Sequence, residues 1–233
     1  YTGDSAFSIM ITTDKLLTKG YLNRMGVAAP AWSRSSAVDF PPPYIIKPTW
    51  EDASVGIDAD AVITEREKLP AAFQKRVRRF GDCFVEAFVD GREFNLSLLG
   101  GASGPEVLPP AEIIFRSFGE RPRIVDYAAK WDDASFEYQH TVRTLEFSSQ
   151  DEPLLKKLRQ VAADCWRIFH CSGYVRVDFR VNAAGEPLVL EVNVNPCISP
   201  DAGFPAAAAR AGLTYTEMVE RIVRDALRRG ASK

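Results

Sequence analysis

Two stretches of apolar–polar alternation, residues 174–181 and 187–194, constrain this chain more than any other feature. In the first, Val175, Val177, Phe179 and Val181 are apolar, and Arg176, Asp178 and Arg180 fall between them. In the second, Leu188, Leu190, Val192 and Val194 are apolar, with Glu191 and Asn193 on the opposite parity. Successive side chains of a strand point to opposite faces, so both stretches read as half-buried strands. A loop over residues 183–186 pairs them as a hairpin, with Asp178 opposite Glu191, Arg176 opposite Asn193, and the apolar faces coincident.

Two carboxylates placed directly across a strand pair repel each other unless something neutralises them. A hard divalent cation, which takes carboxylate and amide oxygens, is the economical neutraliser. Asp178, Glu191 and Asn193 are suitable ligands, and Arg176 beside them can stabilise charge on a transferring phosphoryl group. A solvated sheet face, its acids paired with Arg176 and Arg180, is the alternative, and residue types alone leave both open.

The remaining pattern mixes helices with hairpin-like strands, which argues α+β rather than a doubly wound parallel sheet. A helix is expected from residue 13 or 14, capped by Thr12 or Thr13 and stopped by Gly26. Residues 44–48 read as a strand ended by Pro48, residues 49–56 as a loop holding Ser54 and Gly56, and residues 64–80 as a basic helix. Residues 83–89 and 92–99 read as a hairpin around Asp90-Gly91. A strand follows over 106–115 and an extended piece over 124–131. The strongest helix spans 151–171, and further helices run from residue 204 to about 229.

Composition excludes several classes. With 29 Lys and Arg against 31 Asp and Glu over 233 residues, the charge is -2 and offers no footprint for nucleic acid or an anionic membrane. No apolar run reaches membrane-spanning length and no signal peptide opens the chain, so a cytoplasmic protein is expected. Cys83, Cys165, Cys171 and Cys197 lack zinc spacing and read as reduced thiols. Tyr1 is not an initiator, and Tyr-Thr-Gly reads as mid-protein sequence.

Arg176-x-Asp178 followed by Leu190-Glu191-Val192-Asn193 resembles the catalytic end of the ATP-grasp superfamily, and most closely its D-alanine–D-alanine ligase family. The likeness runs in order through Tyr1-Thr2-Gly3, Asp14-Lys15, Ile45-Ile46-Lys47-Pro48, residues 51–56, residues 86–93, residues 126–130 and Asn195-Pro196. It implies two lobes, residues 1–89 and 90–233, clamping ATP between antiparallel sheets. By position, Lys15, Lys47 and Ser54 would hold ATP phosphates. Glu86 would accept from the adenine amino group, Ala87 to Val89 would form the hinge, and Leu190 would wall the adenine pocket. Glu93 would bind the ribose, Lys130 would reach the γ-phosphate, and Asp178, Glu191 and Asn193 would hold magnesium, or manganese in its place. Arg176 would face an acyl phosphate.

The resemblance therefore implies an ADP-forming carbon–nitrogen ligase for small carboxylate and amine substrates, with a homodimer compatible with it. It departs from the family on the substrate side. Ala53 stands for a serine, Trp131 for a tyrosine, Asn195-Pro196-Cys197-Ile198 for Ser-Pro-Gly-Met, and Ala202 for a serine. A ligase for a different acid, such as a peptide or natural-product precursor, and a magnesium–ATP-binding module without catalysis are the competing expectations.

Overall fold

In the computed structural model, which describes residues 1–231, Asp14 divides the first helical stretch in two. Its carboxylate accepts from the amides of Leu16 and Leu17 and caps α2 (Lys15–Arg24), so the cap falls after Thr12 and Thr13. Before it runs α1 (Ala6–Thr13), capped by Ser5, which the sequence pattern did not signal. Gly26 follows α2 with a positive φ of 73°, the stop its residue type suggested.

Strands β1 (Trp32–Ser33), β2 (Tyr44–Pro48), β3 (Val62–Ile63) and β4 (Cys83–Ala87) form an antiparallel sheet in the order β1-β4-β2-β3. Helix α3 (Leu69–Phe80) packs beneath it, burying Leu69 with Phe40, Tyr44, Ile46 and Val85. It begins later than residue 64 because a 3₁₀ turn, Arg66–Lys68, precedes it and Pro70 sits in its first turn, where no amide is needed.

The larger sheet holds β5 (Arg92–Gly101), β6 (Gly104–Val107) and β7 (Ala111–Phe115). After the short helices α4 (Tyr127–Trp131) and α5 (Phe136–His140) it adds β8 (Thr141–Thr144). It is completed, beyond α6 (Glu152–Ile168), by β9 (Tyr174–Val181) and β10 (Pro187–Asn193). Its order is β10-β9-β5-β7-β8 with β6 on β5, and both sheets are antiparallel throughout. The α+β expectation holds.

Leu155, Leu158, Ala162 and Cys165 of α6 cover one face of the larger sheet, against Phe94, Leu96, Leu98, Val175, Val177 and Phe179. Each fully buried leucine there contributes roughly 2 kcal/mol. Ile11 of α1 and Leu22 of α2 join this same core, although both helices precede the smaller sheet in sequence. Residues 89 and 90 lie at the passage between the sheets. Helices α7 (Gly203–Arg210) and α8 (Tyr215–Ala231) close the chain and bury Phe204, Ala207, Met218 and Ile222 against Leu99 and Leu108. Cys83, Cys165 and Cys171 are buried and Cys197 exposed, all as free thiols. Among the described residues no helix is long and apolar enough to cross a membrane.

Three local expectations fail for physical reasons. Asp90-Gly91 is not a hairpin turn, because β4 and β5 belong to different sheets. Gly91 is there for close approach instead: a Cβ on it would lie 2.0 Å from the Val181 carbonyl oxygen. The strand expected over 106–115 is split, since Pro109 and Pro110 cannot donate to a ladder. The extended piece over 124–131 ends as α4, capped by Asp126, which accepts from the Ala129 amide at 2.8 Å.

The β9–β10 hairpin reaches its expected register by another route. Its turn takes residues 182–186, with Asn182 Oδ1 receiving the amides of Ala184 and Glu186, so Val189 pairs with Phe179. A β-bulge at Leu190 then shifts the ladder by one, placing Glu191 opposite Asp178 and Asn193 opposite Arg176. The bulge puts Val189, Val192 and Val194 in the core and takes Leu188 and Leu190 off the core face, contrary to simple alternation.

Candidate functional site

The register of the larger sheet puts Arg176, Asp178 and Arg180 of β9 on one face, beside Ser97, Asn95 and Glu93 of β5. The opposite face is the apolar core, so this face alone is open to chemistry. Arg176 grips Asp178 with two parallel bonds, Nε to Oδ1 and Nη2 to Oδ2, both 2.7 Å, and its Nη2 lies 3.7 Å from Glu191 Oε1. Asn95 Nδ2 donates to Asp178 Oδ1 at 2.8 Å. Asn193 Oδ1 accepts from the Asn195 amide at 2.9 Å.

One arginine thus serves two acids, and the pair titrates accordingly. Burial pushes the Asp178 carboxyl up to about 6 against the pull of Arg176, with the neighbouring Glu191 adding to the rise. The burial of Glu191 is outweighed by Arg176, Lys15 and Lys130, which hold it down to about 2. Two carboxylates and an amide oxygen suit a magnesium-sized ion that keeps its other positions for phosphate and water. No group of three or more His, Cys, Asp or Glu able to hold a metal occurs among the described residues.

The smaller sheet presents the opposite imbalance. Glu86 of β4 is 1% exposed and forms ion pairs with both Lys47 of β2 and Lys19 of α2. Lys19 is also 1% exposed; burial and the nearby Lys47 pull its ammonium below the usual range. Lys19 and Lys47 together hold Glu86 below the usual carboxylate range despite its burial. The Ala87 amide donates to the Ala31 carbonyl at 2.8 Å, and the Val89 carbonyl accepts from Arg180 at 3.4 Å.

Lys15 Nζ donates to the Glu51 carbonyl and lies 3.3 Å from Asp52. A cavity of about 330 Å³ is lined by Lys15, Asp52, Leu190, Glu191 and Asn193, with Thr12, Thr13 and Asn195. Lys47, Ser54, Glu86, Glu93 and Lys130 lie outside that lining. The loop of residues 49–56 is bent by two non-glycine residues in the left-handed region, Ala53 at φ 55° and Ser54 at φ 63°. It is latched onto α4 and the segment just before it: Ser54 Oγ donates to the Val125 carbonyl at 2.7 Å, and Trp131 Nε1 donates to the Ala53 carbonyl at 3.1 Å.

Two side chains central to this arrangement, Lys19 and Asn95, are not singled out by the sequence. A lysine in a helix beside Lys15 gives no signal, whereas Asn95 shares the parity of Glu93 in β5, which pairing the strands exposes. Arg180, expected to pair with acids of this face, does so with Glu93.

The chain matches the family described as D-ala D-ala ligase C-terminus over residues 26–224. It is 27% identical over 231 residues to a D-alanine--D-alanine ligase of Cupriavidus necator, covering 96% of this chain and 66% of that protein. It is 31% identical over 236 residues to an uncharacterized protein of Sinorhizobium fredii, covering 98% of this chain and 67% of that one. Among solved structures, the D-alanine--D-alanine ligase of Bacillus anthracis complexed with ATP superposes with a TM-score of 0.74 at 22% identity, covering 98% of this chain and 70% of that chain. The fold is therefore that of the ATP-grasp ligases, and the chain spans about two thirds of the length of these curated relatives.

Proposed function

The chain belongs to the D-ala D-ala ligase C-terminus family, and from that premise we infer that it is the ATP-handling and catalytic part of an ADP-forming carboxylate–amine ligase. The observation that carries this reading is the Asp178–Glu191 pair across the β9–β10 ladder, set on the same face as Arg176. Lys15 of α2 and Lys47 of β2 supply the complementary charge for phosphates.

In this reading Asp178, Glu191 and Asn193 hold magnesium, or manganese, and the ion when bound neutralises phosphate charge. Lys15, Lys47 and Ser54 bind phosphates, Glu86 and the backbone from Ala87 to Val89 receive the adenine, Leu190 walls it, and Glu93 takes the ribose. The substrate carboxylate attacks the γ-phosphorus in line, and ADP leaves. Arg176 and Lys130 stabilise the charge spread over the transferring group. An amine then attacks the acyl phosphate and phosphate departs, forming an amide. Positioning and electrostatics do the work, in keeping with a chain that has only two histidines. The loop of residues 49–56 excludes water from the acyl phosphate, and Trp131 and Ser54 hold it down.

An acid other than D-alanine is the second reading, carried by departures from the family pattern: Ala202 at the start of α7 in place of a serine, and the exposed Cys197 in place of a glycine. The test is ATP-to-ADP turnover by the full chain with a panel of amino acids, peptides and other carboxylates, with and without amines. Turnover that requires both an acid and an amine supports the ligase. Tight magnesium–ATP binding with no turnover on any pair would leave a nucleotide-binding module.

A further inference from the structure

Arg180 of β9 is 4% exposed and has no part in the chemistry above. Its Nη1 donates to the carbonyls of Gly91 at 3.1 Å and Val89 at 3.4 Å. Its Nη2 donates to the Arg123 carbonyl and pairs with Glu93 Oε2 at 2.7 Å. The guanidinium carbon sits 5.9 Å from the Phe88 ring centre and 5.4 Å from that of Phe115.

One side chain therefore joins three separate stretches: the passage between the sheets, the start of β5, and the loop that leads to α4 and Lys130. A buried cation persists only where its donors are filled. Three of the acceptors are carbonyls, which would suffice to anchor a loop. The fourth partner is Glu93, which pairs with Arg180 through Oε2, while Oε1 accepts no hydrogen bond from a described residue. With Oε2 engaged by the guanidinium, Oε1 is the oxygen left for a ligand. Only a planar fork can meet four acceptors in this way, and a lysine ammonium cannot span them.

We propose that Arg180 is a positioning residue for the nucleotide: it fixes Glu93 and the inter-sheet passage so that the free Glu93 oxygen meets the ribose hydroxyls. The same guanidinium ties the ribose end of the cleft to the loop carrying Lys130. This rests on the nucleotide reading of the cleft.

The experiment measures magnesium-dependent binding of ATP, 2′-deoxyATP and 3′-deoxyATP to the full chain by calorimetry. The proteins compared are the unaltered chain, Glu93→Gln, Arg180→Met, Arg180→Lys and the double variant Arg180→Met with Glu93→Gln. The unaltered chain should prefer ATP, and Arg180→Met should lose that preference, weakening ATP about tenfold while changing at least one deoxynucleotide little. Arg180→Lys should recover little of it. If Arg180→Met does not unfold cooperatively, the double variant decides, because it buries no lone carboxylate: it should match Glu93→Gln in its ATP preference.

Retention of the full preference in Arg180→Met, an equal loss for all three nucleotides, or a further loss of preference in the double variant would each overturn the inference. Failure of the unaltered chain to bind any of the three would instead overturn the nucleotide reading, and this inference with it.

Discussion

The two sheets carry opposite charge errors. On the larger, two acids, Asp178 and Glu191, share one arginine; on the smaller, two lysines, Lys19 and Lys47, share one buried acid, Glu86. In the proposed function the two clusters meet a ligand whose one part is anionic and whose other part arrives with a cation, the charge pattern of a metal–triphosphate complex. The difference also separates two kinds of role. Glu191 of the acidic pair is half-buried and lines the cavity, whereas Lys19 is sealed inside and can act only through Glu86.

The sharpest way to break this contrast is Glu191→Gln. Turnover should fall by at least about a hundredfold, as when a preorganised charge is removed from a transition-state site. Thermal stability at neutral pH should fall modestly while the chain still folds, since the ionised Glu191 that Arg176, Lys15 and Lys130 favour is gone. Undiminished turnover would end the metal assignment. Next is Lys19→Met, which leaves the buried Glu86 with Lys47 alone and should cost about 2–3 kcal/mol, somewhat less than the loss of a sole partner. Denaturant midpoints would measure it, and a variant as stable as the parent would mean that Lys19 is dispensable to the cluster.

A smaller effect separates the clusters by pH. Asp178 is raised to about 6, so it binds a proton over the range from its ordinary value up to about pH 6 that the unfolded chain has already released. Its contribution to stability therefore declines as pH rises through that window, while Glu191, depressed to about 2, adds stability as pH rises from there to its ordinary value. A cation needs both ionised. Magnesium affinity should weaken up to about tenfold per pH unit below 6, with proton release on binding at pH 5 and little at pH 8. Titration calorimetry in buffers of different ionisation heat would read this directly, and a flat profile would count against a shared cation. Smallest of all, Trp131→Phe removes the indole bond to Ala53 and should cost about 0.5–1 kcal/mol locally. Hydrogen exchange at residues 49–56 should quicken while the rest of the chain stays unchanged.

The acidic hairpin was legible in β9, where alternation reports the face each residue takes, and around Glu191 and Asn193. Up to the bulge, alternation misplaced Leu188 and Leu190, because it carries no sign of an extra residue in the ladder. The basic cluster was only half legible. Lys47 stands out as a charge in an apolar strand, but Lys19 sits in a helix with Lys15 and Arg24 nearby, where lysine is ordinary. The passage between the sheets was misread because Asp-Gly carries the same chemistry in a hairpin as in a connection, and only the nearness of Val181 tells them apart. The short helix α4 was hidden for a related reason: five residues hold too little periodicity to register, and its cap, Asp126, also fits a turn.

The bulge at Leu190 makes the facing of the two acids a sum of two local devices. The five-residue turn sets Val189 opposite Phe179, and the extra residue at Leu190 then carries Glu191 opposite Asp178. Removing Leu190 with the turn unchanged would move Glu191 out of line with Asp178 and send Asn193 to the wrong partner.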